Sequence, residues 1–329
     1  MKKVLVTGGS GFVGSFLCEE LLARGYDVSA VDNFATSSRP NIEHLFKEKS
    51  FHFFEENILN EGFMDYLVKE CDIIFHLAAA VGVKYILENS LHSLLTNIQG
   101  TEIVLKLADK YKKKILITST SEVYGKHVRR AFKETDDMVI GNTGISRWSY
   151  AIAKAVDESL ALAYHKEKKL AVVIVRLFNT VGPRQSSHYG MVLPKFVEEA
   201  LSGKPITVFE TGEQVRAFTY VTDVVKAMIG LILCKRAEGE VFNVGCGCSL
   251  TIKELAERVK AKTSSDSAIS FVSYNKAFGE FAKDFQDMDF RLPDINKLKS
   301  FIKFEPECDI DEMIDKMIEF CQRKEKGKI

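Results

Sequence analysis

Up to about residue 176 the chain alternates short, nearly continuous apolar runs with longer stretches whose apolar residues recur three and four positions apart. The runs lie at 3–7, 27–32, 51–55, 73–76, 114–119 and 171–176. The helical stretches lie at 12–24, 61–70, 90–111 and 149–168. Strands apolar on both faces, each followed by a helix, predict a parallel sheet covered on both sides. Right-handed crossovers make such a sheet a doubly wound α/β (Rossmann) fold.

After about residue 177 the rhythm loosens. Pro183, Gly190 and Pro194 punctuate a loop leading into a helix at 191–202. A strand at 206–209, a helix at 220–234, a strand at 241–244 and helices at 251–262 and 310–324 follow. This mixture predicts a smaller mixed α/β lobe that binds substrate. The expected division is therefore 1–176 for the dinucleotide-binding part and mainly 177–329 for the lobe, with the chain crossing back to the first part. A cleft between them is where a second ligand belongs.

Composition adds bounds. The chain has 329 residues and is 46% hydrophobic, enough for one large core with an attached lobe. Lysine plus arginine (45) equals aspartate plus glutamate (45), so no global field draws nucleic acid or an anionic membrane. The apolar start after Lys2 and Lys3 is interrupted by Gly8 and Gly9, short of a secretory core. A cytoplasmic protein without nucleic-acid or membrane partners is expected. Seven scattered cysteines fit reduced thiols. The Cys246-Gly247-Cys248 pair has no second ligand cluster and reads as a turn after a strand, so no metal is expected.

The candidate chemistry starts at Gly8, Gly11 and Gly14, a GxxGxxG turn between the first strand and the first helix. Glycines there allow a tight turn and close backbone approach to a pyrophosphate, and the helix N-terminus supplies free N–H groups. Asp32, at the end of the second strand, can accept both adenosine ribose hydroxyls and repels a 2′-phosphate, which favours NAD over NADP. Tyr150 and Lys154 share one helix face. A free phenol, with a pKa near ~10, is a poor base at neutral pH, and a neighbouring ammonium is expected to lower that value. The strand at 114–119 ends in Thr118-Ser119-Thr120-Ser121-Glu122, hydroxyls and a carboxylate facing the crevice.

With these motifs in order, the chain resembles the extended short-chain dehydrogenase/reductase family, in its NAD-dependent epimerase/dehydratase branch. TGGSGFVG, DNF, HLAAAVGV, STSEVYG, SYAIAK, RLFNTVGPR, RAFTYV and RLPDINK carry the resemblance over nearly the whole length. It implies Thr120, Tyr150 and Lys154 as catalytic hydroxyl, base and helper lysine, with Lys154 also on the nicotinamide ribose. It implies Gly8, Gly11, Phe12, Val13, Gly14, Asp32 and Asn33 against the cofactor, Ala78 and Ala79 along its path, and Asn57 and Ile58 beside the adenine. Asn179, Arg216 and Arg291 fall where the family holds the substrate diphosphate, with Arg184 as a further candidate; Ser121 is a further substrate-binding candidate, and Lys84 can meet a substrate carboxylate or phosphate. A homodimer through the helices at 90–111 and 149–168 is also implied.

Members share a first step, transfer of hydride from the sugar to NAD to give a 4-keto intermediate. Ser121 stands where related dehydratases carry an acid, which disfavours dehydration. Glu122 with Arg291 resembles the pair of UDP-glucuronate decarboxylases, whereas AAAVGVK and SYAIAK resemble epimerases. The expectation from sequence is a nucleotide-sugar 4-epimerase, with UDP-glucuronate decarboxylase as the alternative. A dinucleotide-binding protein without turnover is disfavoured because both Tyr150 and Lys154 are present.

Overall fold

The computed structural model describes residues 1–126, 130–187 and 190–325, with the side chains of Val83, Lys84 and Glu325 outside that description. Its central sheet holds β1 (Lys3–Thr7), β2 (Asp27–Asp32), β3 (Phe51–Glu55), β4 (Ile73–His76), β5 (Lys114–Thr120) and β6 (Val172–Leu177). A seventh strand, Glu240–Val244, joins the edge beyond β6. The order runs from that strand through β6, β5, β4, β1, β2 to β3, and every pair is parallel. The order reverses between β1 and β4, and in such sheets ligands bind in the crevice opened at that point.

Both faces are covered, which is why the strands read as unbroken apolar runs. Helices α1 (Phe12–Ala23), α2 (Glu61–Glu70), α3 (Val83–Glu88), α4 (Ser90–Lys110) and α5 (Ser149–Lys168) fall in the first part of the chain. On one face Leu5, Ile74, Ile115 and Ile174 meet Met64 of α2, Val104 and Leu105 of α4 and Ala161 of α5. On the other, Val4, Val6, Val173 and Val175 meet Leu17 and Leu21 of α1 together with Val224 and Met228 from the second half. Each such fully buried aliphatic side chain stabilises by roughly 1.5–3 kcal/mol. Asn60 starts α2 by accepting the Phe63 amide at 3.3 Å.

The second half holds β7 (Thr180–Val181), α6 (Val192–Leu201), β8 (Ile206–Phe209), β9 (Val215–Ala217), β10 (Thr219–Tyr220), α7 (Val221–Leu233) and β11 (Glu240–Val244). It continues with β12 (Ser249–Thr251), α8 (Ile252–Lys262), β13 (Ile269–Val272), α9 (Tyr274–Phe278), β14 (Phe290–Arg291), α10 (Asn296–Phe301) and α11 (Ile310–Glu325). Here α6, α8 and α11 bury Phe196, Leu255 and Met317 around the β8–β13 pair. Thr251 and Glu254 close a capping box that starts α8. The chain returns to the large sheet through α7 and β11. The sequence pattern did not reveal β7, β9, β10, β12, β13 or β14; five of these have only two or three residues, too short to show a period.

Candidate active site

The glycine turn is built as tightly as its spacing implies. Gly8 sits at φ +73°, and a Cβ there would lie 2.8 Å from the Ala78 amide nitrogen. A Cβ on Gly14 would land on the Gly8 carbonyl oxygen. Gly11 occupies the N-cap of α1, where no side chain caps the helix and no acidic residue stands in the first turn. Free N–H groups and positive potential therefore face the space above β1. At the end of β2, Asp32 Oδ1 accepts from the Phe34 amide (3.0 Å) and the Ser37 hydroxyl (2.7 Å), while Oδ2 accepts only the Ser10 amide (3.1 Å). Oδ2 thus keeps acceptor capacity that a ribose hydroxyl can use. A cradle that side chains would fill, a bare helix N-terminus and this carboxylate fit a dinucleotide.

Thr120 ends β5, and its hydroxyl accepts the Glu122 amide at 3.2 Å, opening the turn Ser121–Tyr124. Tyr150 and Lys154 sit on α5 and both are buried. The expectation that Lys154 lowers the phenol needs correcting. Lys154 Nζ donates to Asp157 Oδ2 at 3.2 Å, one turn further along α5. Burial first, then the Glu122 and Asp157 carboxylates, push the Tyr150 phenol well above its ordinary range, and Arg147 pulls the other way.

Beyond the tyrosine lies a buried cluster of ionic side chains. Arg147 grips Glu122 with two N–H groups, Nη2 to Oε1 at 2.7 Å and Nη1 to Oε2. Arg291 Nη1 meets the same Oε1 at 3.4 Å, and its Nη2 donates to Asn179 Oδ1 at 3.0 Å. Burial opposes the charge on Glu122, but Arg147 and Arg291 outweigh it and hold the carboxyl below its usual range. Arg216 Nη2 donates to Asp287 Oδ1 at 2.9 Å, and the Tyr274 hydroxyl donates to Asp287 Oδ2 at 3.0 Å. Burial, then the neighbouring Arg216, lowers Arg291 to about 10. Three guanidiniums against two carboxylates leave one positive charge in excess. Among the described residues, Arg147 Nε and Arg291 Nε are buried N–H donors without a partner.

One cavity of about 1060 Å³ joins these parts. Gly8, Gly11, Phe12, Val13, Gly14, Asp32, Asn33, Asn57, Ile58, Ala78 and Ala79 line its dinucleotide end. Thr120, Ser121, Glu122, Tyr150, Asn179, Arg184, Arg216 and Arg291 line the remainder, which runs on to Phe209, Tyr274 and Phe278. Lys154 stands behind this wall, and the Lys84 side chain lies outside the described residues. Arg184 lines the cavity while its guanidinium donates to Glu19 Oε1 (2.6 Å) and Ser15 Oγ (3.2 Å) of α1 and stacks on Phe16. Asn57 Oδ1 accepts the Leu59 amide at 2.9 Å, so it shapes its own turn as well as lining the pocket. Cys246 donates its thiol to the Phe218 carbonyl at 2.9 Å.

Sequence reasoning missed Arg147, Asp157 and Asp287. Arg147 carried a signal, standing one helical turn ahead of Tyr150. Asp157 stands one turn beyond Lys154 on the inward face. Asp287 lies in an irregular segment before β14 and gave no local sign.

A family model described as GDP-mannose 4,6 dehydratase matches residues 5–317. A UDP-N-acetyl-alpha-D-glucosaminuronate decarboxylase from Bacillus cytotoxicus is 40% identical over 306 residues, covering 93% of each chain. UDP-glucuronic acid decarboxylase 1 of Arabidopsis thaliana is 34% identical over 96% of this chain and 69% of its own length. Among solved structures, UDP-glucuronic acid 4-epimerase from Bacillus cereus, in complex with UDP-glucuronic acid and NAD, superimposes with a TM-score of 0.88. That epimerase is 27% identical and the match covers 98% of this chain and 99% of the other.

Proposed function

Because the chain belongs to the NAD-dependent epimerase/dehydratase family of nucleotide-sugar enzymes, we propose that it decarboxylates a UDP-linked hexuronate through transient oxidation at C4. The observation that carries this reading is the Glu122–Arg147–Arg291 cluster, with its excess positive charge and two unpartnered buried N–H donors. A diphosphate accounts for Arg216 and Arg291. Arg147, on the Tyr150 side of the cavity, is the additional cation that a sugar carboxylate calls for and a neutral hexose does not. The decarboxylases among the relatives support the same choice over the epimerase expected from sequence.

In this reading Gly8, Gly11, Gly14 and Asp32 hold NAD, which supplies the hydride acceptor and returns the hydride at the end. Tyr150, in its phenolate form, takes the proton of the C4 hydroxyl, and Thr120 hydrogen-bonds the same oxygen. The resulting β-keto acid loses its carboxylate as carbon dioxide, and the electron pair of that bond passes into the C4 ketone as an enolate. Arg147 orients the departing carboxylate. A proton drawn ultimately from solvent adds at C5, so the overall reaction consumes one proton and releases one carbon dioxide. Tyr150 then returns its proton to the C4 oxygen as hydride comes back.

A second reading, 4-epimerisation of the same uronate, is favoured by the fold match to the Bacillus cereus enzyme. Purified protein offered UDP-glucuronate, UDP-N-acetylglucosaminuronate and UDP-glucose separately, with products followed by NMR and carbon dioxide trapped, decides between them. A UDP-pentose with stoichiometric carbon dioxide is expected. Formation of the 4-epimer without gas release overturns the decarboxylase reading.

A further inference from the structure

Asp157 is a buried carboxylate to which the reaction sequence gives no part. Asp157 on α5 is 0% exposed and Lys154 is 2% exposed, and the two are paired at 3.2 Å. The second oxygen, Asp157 Oδ1, has no hydrogen-bond partner, and the Thr101 hydroxyl of α4 lies beside the carboxylate. Thr101 Oγ1 in turn meets His76 Nε2 at 3.2 Å, and His76 Nδ1 meets Thr7 Oγ1 at 2.8 Å. Burial, with the nearby Lys154 charge, lowers His76 to about 3, so this imidazole stays neutral and adds no second positive charge beside the lysine. Glu158, next along the helix, is engaged bidentately by Arg176 of β6 at 2.9 and 2.7 Å. Asp157 is therefore the carboxylate that answers the Lys154 ammonium.

An aspartate at a fully inward helix position is costly to bury unless a cation pairs with it. The same pairing changes what the lysine does for the tyrosine. The charged groups acting on the Tyr150 phenol are Glu122 from the turn after β5, Arg147 from the turn before α5, and Asp157 on α5 itself.

We propose that Asp157 is a positioning residue whose ion pair fixes the Lys154 ammonium behind the cavity wall and withholds part of its charge from Tyr150. The proposal rests on the reading of Tyr150 as the proton acceptor, and not on which sugar is bound. Without the Asp157 charge, one of the two carboxylates that raise the phenol is gone and the Lys154 ammonium is left unpaired, so the phenolate forms at lower pH. Positions 150 and 157 are two helical turns apart, ~10 Å along the axis, and at an effective dielectric of ~20 one charge at that distance moves a titration by about one pH unit.

The test is an ultraviolet phenolate titration of Asp157→Asn and the parent, both loaded with NAD, each corrected by subtracting the same protein carrying Tyr150→Phe. The Tyr150 signal is expected about one pH unit lower in the asparagine variant, and Asp157→Glu is expected to restore the parental curve. Asp157→Ser, which leaves room for water beside the ammonium, serves if the asparagine variant does not fold. The acid limb of nicotinamide reduction by a UDP-sugar is expected to move with the titration. A curve that coincides with the parent, or moves upward, overturns the proposal. The titration contains no sugar, so absence of turnover with every uronate would overturn the substrate reading while leaving this result standing.

Discussion

Replacing Arg147 with methionine removes the charge from the Glu122 cluster while keeping most of the buried volume. Both partners are buried, with side-chain exposures of 3% for Arg147 and 12% for Glu122. The change leaves Glu122 facing Arg291 alone, at 3.4 Å. Breaking such a pair from one side costs about 3–5 kcal/mol at pH 7, because the remaining carboxylate stays desolvated. In a protein of this size that is roughly 4–7 °C of melting temperature. The loss depends on pH, and its sign follows from the carboxyl. In the parent the Glu122 carboxyl is held below its unfolded value, so its stabilisation is present above the unfolded pKa of about 4.3 and is lost as pH falls through the folded one. In the variant burial, the largest influence on this group, prevails and raises the carboxyl above its unfolded value. The ionised form is then strained at pH 7, and protonation relieves it as the solution is acidified. Thermal melts of both proteins at pH 7 and pH 5 are expected to show a gap that narrows at pH 5. An equal gap at the two pH values, or a gap under about 1 kcal/mol at pH 7, would refute the electrostatic account of the cluster.

Three further outcomes follow. Tyr150→Phe is expected to lower turnover by at least ~10²-fold with nucleotide-sugar affinity retained by titration calorimetry, since only the proton acceptor is lost; near-parental turnover refutes the assignment. Gly14→Ala drives a methyl group onto the Gly8 carbonyl, so NAD affinity measured by equilibrium dialysis is expected to fall by more than about tenfold, ~1.4 kcal/mol. Leu91 is 69% and Leu95 45% exposed on α4, which packs on α5, so the expected homodimer through these helices predicts that Leu91→Glu with Leu95→Glu yields monomers in light scattering; a wild-type monomer contradicts it.

Most of the large sheet was legible because its information is local. β1, β2, β3 and β4 end where the apolar runs end, and β5 extends only from Ser119 to Thr120, which pairs with Leu177 of β6. The glycine turn, Asp32 and the Tyr150–Lys154 spacing were equally readable, since each lies within one strand–turn–helix unit. The lysine's partner was not. Asp157 was visible as a residue, but its pairing with Lys154 depends on the inward face of α5 being sealed by α4 and the sheet.

By itself, then, the amino-acid order determined which segments become strands and helices, and which short motifs stand at their junctions. Periodicity and glycine placement act over a few residues and need no knowledge of the rest of the chain. Tertiary structure alone decided the electrostatics of the site. Glu122 and Arg291 are 169 residues apart and Arg216 and Asp287 are 71 apart, yet folding brings them to one cavity wall. Charge interactions depend on distance and burial, and neither is set until segments far apart in the chain have packed together.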